Sequence, residues 1–409
     1  MRQRICRYSA RAAVTVLLIA TAIVLSSCGE NDPDLSSIAL PASTPAPPLT
    51  SAEEAAPGNA GVGVVTMAFE DTSRPTMPNG TYSGSPTRKL TTDIWYPTLP
   101  DPATPADAVR NAPLAKSNAP YPLIMYSHGF MGTRASEASS ARHLASHGYV
   151  VASPDFPLTN FNAPGGPTVN DVVNQPGDVS FLVTKLLQLS ADPQSPLAGA
   201  VDAQRIAAAG LSLGGLTTYL VAFHPTVHDP RIKAAAPLAG PGCFFGDAFF
   251  STALPLLIVH GDIDAIVPYQ QNAVASFTHA HRPKYLITLR AGSHTGFTDA
   301  ADLFTGVKNP DTVGCGQLAG TLPSDDTAGA EFLALLGGPS AGIVPGDCPA
   351  GCASHSLPPA ISARRQHELT RMTLLPFFEG YLRNDSRSRQ FLQTVLAAEN
   401  AEVSVQADL

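Results

Sequence analysis

After residue 60 the chain alternates short apolar runs with stretches where apolar residues recur every three or four positions. Runs at residues 63–69, 90–95, 123–127, 149–152, 206–209, 234–238, 256–259 and 285–289 predict eight strands. Helical spacing predicts helices over 135–147, 178–189, 213–223, 269–278 and 362–382. The later strand runs are almost continuously apolar, as expected where helices cover both faces of a parallel sheet. The alternation therefore predicts an α/β fold: a mostly parallel, eight-stranded, doubly wound sheet with helices on both faces. Residues 305–359 break the pattern. They are rich in Gly, Pro and small residues, with one short helical stretch at 330–336. A segment that long inside a compact domain is functional or disordered as a rule. No internal repeat is present.

The first residues read as an address. Arg2, Arg4, Arg7 and Arg11 precede a 14-residue apolar run at 12–25, too short for a comfortable membrane span and suited to a secretory signal. The run ends in Leu25-Ser26-Ser27-Cys28, which resembles a bacterial lipoprotein box, with cleavage before a cysteine that receives lipid. An ordinary signal peptide with an incidental cysteine is the alternative. Residues 28–60 hold Ser, Ala, Thr and Pro with no aromatic side chain and are expected to form a disordered tether behind the lipidated Cys28. The expected organisation is a leader at 1–27, the tether at 28–60, a domain at 61–395 with an insertion at 305–359, and a tail at 396–409.

Composition narrows the classes further. Hydrophobic residues make up 44% and charged ones 14%, enough apolar material for a large core, which excludes a wholly disordered chain. Removing the four leader arginines deepens the net charge from −8 to −12, and no basic run lies beyond the leader, which argues against nucleic acid as a partner. Of the six cysteines, Cys6 leaves with the leader and Cys28 carries lipid, which leaves Cys243, Cys315, Cys348 and Cys352. An even set in an exported protein favours two disulfides. We expect Cys348–Cys352 to close a small loop, with Cys243–Cys315 as the second bond. A zinc site of Cys315, Cys348, Cys352 and His355 is the rival, disfavoured in an oxidising compartment.

The chemistry centres on Gly210-Leu211-Ser212-Leu213-Gly214-Gly215, which follows an apolar strand and opens a helix. That context makes G-x-S-x-G a nucleophile elbow, a tight strand-to-helix turn that thrusts the Ser212 hydroxyl outward. A serine alcohol needs a base, and the base needs an orienting acid, in the chain order Ser, Asp or Glu, His. The run at 256–259 leads into His260-Gly261-Asp262-Ile263-Asp264, and the run at 285–289 into Ala291-Gly292-Ser293-His294. The predicted triad is Ser212, Asp264 and His294. Asp262 competes with Asp264 but sits directly after its strand, where it is expected to cap the turn. His355 is the alternative base. Donors for a developing oxyanion are expected from the Leu213 N–H and from the Phe130 N–H in Ser127-His128-Gly129-Phe130, with His128 holding that loop. The Phe130 side chain could line the cleft or pack in the core. No metal or organic cofactor is implied.

With these residues in place, the chain is similar to the α/β-hydrolase superfamily. Within it the chain resembles the platelet-activating factor acetylhydrolase and dienelactone hydrolase-like branch, which neighbours bacterial polyester hydrolases. The likeness rests on Asp71-Thr72-Ser73-Arg74-Pro75, Thr92-Asp93-Ile94-Trp95-Tyr96-Pro97, Tyr126 to Phe130, Gln175-Pro176-Gly177-Asp178, the elbow, and Gly292-Ser293-His294-Thr295-Gly296-Phe297. It covers residues 61–304 and the last long helix. Leu211 departs from it, standing where many relatives have His, Tyr or Trp. The course of residues 156–175 and the cysteine-bearing insertion also depart, and the insertion could form a partial lid. The resemblance implies a serine esterase acting on carboxylic esters, with short-acyl or acetylated and oxidised lipid esters preferred. Acyl transfer, polyester hydrolysis and a non-catalytic envelope lipoprotein are the alternatives. The expected protein is a monomer held by lipid at the outer face of a bacterial membrane. Activity is expected to rise as His294 deprotonates near pH 6 to 7.

Overall fold

The computed structural model describes residues 47–100, 108–319, 326–354 and 356–409. Cys28 and the leader lie outside the described residues, as does His355. Among the described residues ten strands form one sheet: β1 (Gly61–Asp71), β2 (Arg88–Thr98), β3 (Ala108–Arg110), β4 (Tyr121–Ser127), β5 (Val150–Pro154), β6 (Val201–Leu211), β7 (Ile232–Leu238), β8 (Leu256–Gly261), β9 (Lys284–Leu289) and β10 (Val403–Asp408). Their order in space is β10-β9-β8-β7-β6-β4-β5-β2-β1-β3. The six strands from β5 to β9 in this order, with β4 between β5 and β6, run parallel; β2 joins β5 and β10 joins β9 antiparallel.

The helices are α1 (Ser51–Ala55), α2 (Ala138–Ser146), α3 (Gln175–Ala191), α4 (Leu213–Phe223), α5 (Ala275–His279), α6 (Asp311–Leu318), α7 (Asp326–Leu335), α8 (Ala363–Leu382), α9 (Ser386–Gln390) and α10 (Leu396–Glu399). The sheet separates two cores. Ile206 and Ala208 of β6 face a cluster with Leu182 and Leu186 of α3 and Leu220 of α4. The alternate residues Ala207, Ala209 and Leu211 face a cluster with Leu144 of α2 and Leu369 and Phe377 of α8. Burial on both faces is why these strands read as continuous apolar runs.

Three expectations need correcting. The sheet has ten strands rather than eight, because the three-residue β3 and the edge strand β10 extend it. The residues assigned to a tail therefore include β10, paired with β9 from Val403↔Leu289 to Asp408↔Lys284. The tether does not reach residue 60. Thr50 caps α1 in a capping box with Glu53, and Glu54 is buried against α8. The Ser51 N–H donates to Glu399 Oε2 at 2.7 Å and Asn400 Nδ2 donates to Ser51 Oγ at 2.8 Å, so the two ends of the described chain are joined. An apolar count over a proline-rich stretch misses a helix this short, whose stability comes from docking rather than propensity.

A buried ion network accounts for two of the quoted motifs. Arg88 of β2 is fully buried and donates to both oxygens of Asp171 and of Asp178 at 2.6–3.1 Å. Arg74 joins Asp178 to Asp71 at 2.7 and 2.8 Å. The Asp71–Pro75 turn is thereby fastened to the start of α3, which carries Gln175 to Asp178.

Candidate active site

Ser212 lies between β6 and α4 with φ 57° and ψ −117°, a backbone conformation unusual for any residue with a Cβ. The flanking glycines make the turn possible. A Cβ at Gly210 would overlap the Gly214 carbonyl, and one at Gly214 would overlap the Ser127 carbonyl at the end of β4. The elbow is therefore packed against the strand that leads into the Phe130 loop.

The structure brings Asp264 and His294 together. Asp264 Oδ2 accepts from His294 Nδ1 at 2.7 Å, and Asp264 Oδ1 accepts from the N–H groups of Ile266 and Val267 at 2.9 and 2.7 Å. Asp262 instead accepts from the Ala291 N–H at 2.6 Å, a bond across to the loop after β9 rather than the cap of its own turn expected of it. Burial works to raise the Asp264 carboxyl, but the imidazoles of His294 and His260 outweigh it and hold the group well below the usual carboxylate range. Burial likewise works to lower His294; the charges of Asp264 and then Asp311 outweigh it, and the imidazole is raised. Holding His294 at Nδ1 leaves Nε2 as the atom available to Ser212.

Sequence reasoning gave His260 no role. It is fully buried, with Nε2 2.8 Å from the Val267 carbonyl and 3.2 Å from Asp264 Oδ2. The shorter contact marks the Val267 carbonyl as the main acceptor, with Asp264 taking a lesser share of the same N–H.

Phe130 and Leu213 lie beside Ser212 in one cavity, and neither N–H donates to another group among the described residues. The Phe130 loop is held from behind. His128 Nδ1 is 2.7 Å from the Gly129 carbonyl, and its Nε2 accepts from the Phe156 N–H at 3.2 Å. Burial pushes the His128 imidazole down, which keeps it neutral for this pair of bonds. Beyond the loop, Arg134 spans Asp155 at 2.5 Å and Asp93 at 3.2 Å, placing the Asp93 of the β2 motif under the site.

Two small cavities meet at Ser212. One, about 190 Å³, is lined by Phe130, Val169, Leu213, Pro241, Ile266 and Leu318. The other, about 100 Å³, holds His294 with Leu211, Thr298 and Leu318. Val169 brings the 156–175 segment to the edge of the site. Leu318 belongs to α6, so the insertion supplies a wall to both cavities. A larger cavity of about 790 Å³ beside His147, Arg205 and Arg383 contains none of these groups. Its Arg383 is bonded to Glu379 and to the His147 and Gly148 carbonyls.

The insertion is fastened by two disulfides, Cys243–Cys348 and Cys315–Cys352. This corrects the expected Cys348–Cys352 and Cys243–Cys315 pairing. The loop carrying Cys348 lies on the Cys243 turn, whereas Cys352 donates its N–H to the Ala265 carbonyl and faces α6. The two cysteines point to different sides of the site although only three residues separate them. All four thiols are used, so the zinc set with Cys315, Cys348 and Cys352 does not form, and its fourth member His355 lies outside the described residues. Among the described residues no group of three His, Cys, Asp or Glu side chains is placed to hold a metal ion.

Sheet order, serine elbow and the acid–histidine pair together make an α/β-hydrolase fold. Residues 113–307 match the family model PETase, described as PET hydrolase-like. Over 171 residues the chain is 30% identical to Cutinase 2 of Thermobifida cellulosilytica, covering 42% of this chain and 55% of that protein. It is 29% identical over 137 residues to a poly(3-hydroxyoctanoate) depolymerase of Pseudomonas fluorescens, covering 32% of this chain and 48% of that protein. The chain thus spans about half the length of these relatives. A ferulic acid esterase from Streptomyces cinnamoneus shares the fold, with a TM-score of 0.53 and 24% identity over 81% of this chain and 93% of its own.

Proposed function

We propose that this protein is a carboxylic ester hydrolase working through an acyl-enzyme on Ser212. The 2.7 Å bond between Asp264 and His294, in the cavity that Ser212 lines, carries the reading. His294 Nε2 takes the Ser212 proton as Oγ attacks the ester carbonyl, and the N–H groups of Phe130 and Leu213 receive the oxyanion. Collapse expels the alcohol with the proton from His294. Water, deprotonated by the same Nε2, then attacks the acyl-enzyme and releases the acid.

The cavity beside Ser212, about 190 Å³, falls below the roughly 300–1,000 Å³ of sites that enclose drug-sized ligands, which supports a small acyl group. Similarity to cutinases and to a polyester depolymerase favours the second reading, in which that group ends a polyester chain. The leader and the Leu25–Cys28 motif support export and lipid attachment at Cys28, with the body monomeric at the membrane face.

A fluorophosphonate probe tests the centre of the reading. The intact protein should label and hydrolyse p-nitrophenyl acetate, and Ser212→Ala should do neither while keeping its thermal unfolding transition. A folded wild type that never labels overturns it.

A further inference from the structure

We propose that Asp311, in the insertion and beyond the stretch that matches the family model, is a positioning residue that fixes the catalytic acid and histidine loops relative to each other. This rests on the ester hydrolase reading. Asp311 is fully buried at the start of α6 and, among the described residues, pairs with no Lys or Arg. Its carboxylate instead accepts three backbone N–H groups. Oδ2 takes those of Ala265 and His294, both at 3.0 Å, and Oδ1 takes that of Thr295 at 2.6 Å. One of these donors adjoins Asp264; the other two are His294 itself and its neighbour. A single side chain thus ties together the two loops whose spacing sets the Asp264–His294 bond.

Asp311 is itself held. Its N–H donates to Asn309 Oδ1 at 2.9 Å, and Asn309 Nδ2 donates to the Pro358 carbonyl at 2.9 Å. Cys315, one turn along α6, is bonded to Cys352, whose N–H returns to the Ala265 carbonyl. Opposite, the buried Gln366 of α8 accepts from the Ser293 N–H at 3.1 Å and donates to the Ser293 carbonyl at 2.6 Å. The histidine loop is clamped between a carboxylate above and an amide below.

The charged groups acting on His294 are Asp264 and Asp311, with His260 behind Asp264; α8 brings the neutral Gln366 to Ser293 and His367 to the Thr298 carbonyl. Asp311 therefore acts on the imidazole in two ways, by geometry and by charge. Displacement of reacting groups by about 1 Å costs on the order of 100-fold in rate.

Asp311→Asn keeps the shape but turns an acceptor into a donor against those N–H groups and removes the charge. In the folded variant kcat on p-nitrophenyl acetate should fall between about 10- and 100-fold with KM within about twofold of wild type. The pH midpoint of kcat/KM should move down relative to wild type. A folded variant with unchanged kcat and midpoint overturns the proposal, and so does one that loses thermal stability while its midpoint stays fixed. Should Asp311→Asn fail to fold, amide hydrogen exchange of the unaltered protein decides: slow exchange at Ala265, His294 and Thr295 supports the clamp, and exchange as fast as in exposed loops overturns it. A wild type that neither labels nor turns over would instead fault the ester hydrolase reading, and the exchange measurement would still read the clamp.

Discussion

His294 is bonded through its imidazole to the carboxylate of Asp264 and through its backbone N–H to that of Asp311, and its pH behaviour follows from both charges. Burial pushes the proton off; the two negative charges hold it on and prevail, so the imidazole is raised above its usual 6.5. A general base must be neutral to accept the serine proton. Activity should therefore rise with pH through a midpoint above 6.5, displacing the ordinary range of 6 to 7 upward. A kcat/KM profile on a soluble ester reads this directly; a midpoint below 6.5, or a rate flat from pH 4 to about 9, contradicts the assignment. Ser212, Asp264 and His294 were legible in the sequence because each lies in the loop that follows an apolar strand, in the order that topology demands. Asp311 and Gln366 were not. Their partners are backbone N–H and carbonyl groups, which leave no imprint on the pattern of side chains. His260 was visible at a strand end, but only the folding back of Val267 onto it gives it a role.

At the scale of elements, legibility follows burial. The parallel strands declared themselves because both faces are covered, while β3 is too short and β10 too polar to stand out. Ser404 and Gln406 alternate with Val403, Val405 and Ala407 in β10, the signature of an edge strand with one covered side. In the insertion the short helix expected at 330–336 is present as α7, while α6 stayed hidden because Gly and small residues blur the helical period, and the disulfide pairing hid because closeness along the chain is not closeness in space. The docked helix α1 has a measurable consequence. Burial, with help from Glu379 and Asp385, pushes the Glu54 carboxyl up to about 7, against 4.5 for a free glutamate. Between those values the folded state binds more protons than the unfolded one, so stability is lost as pH rises across that window. The difference is on the order of 2–3 kcal/mol. Glu54→Gln, neutral throughout, should unfold at a higher temperature than wild type at pH 8 and show a much smaller gain near pH 4. Equal gains at both pH values would mean that the Glu54 charge is not what burial opposes.

On the scale of the whole molecule, the compact unit that holds the sheet begins at Pro48 rather than after residue 60, and its N-terminal helix is bonded to the C-terminal segment at Glu399 and Asn400. No helix among the described residues is long and apolar enough to cross a membrane, so attachment in the proposed arrangement rests on Cys28. Wild type expressed with its leader should partition into the detergent phase of Triton X-114 extracts, and Cys28→Ser into the aqueous phase. Wild type found wholly in the aqueous phase would remove lipidation from the picture. The insertion at 305–359 has a further consequence for how such a protein can diverge. Leu318 walls the cavities at Ser212, and Asp311, at the other end of the same helix α6, binds the loops of the acid and the base. Substrate preference and catalytic competence are thus inherited as one unit. A recombination that exchanged this segment for a shorter loop would open the cleft and slacken the charge relay in a single step.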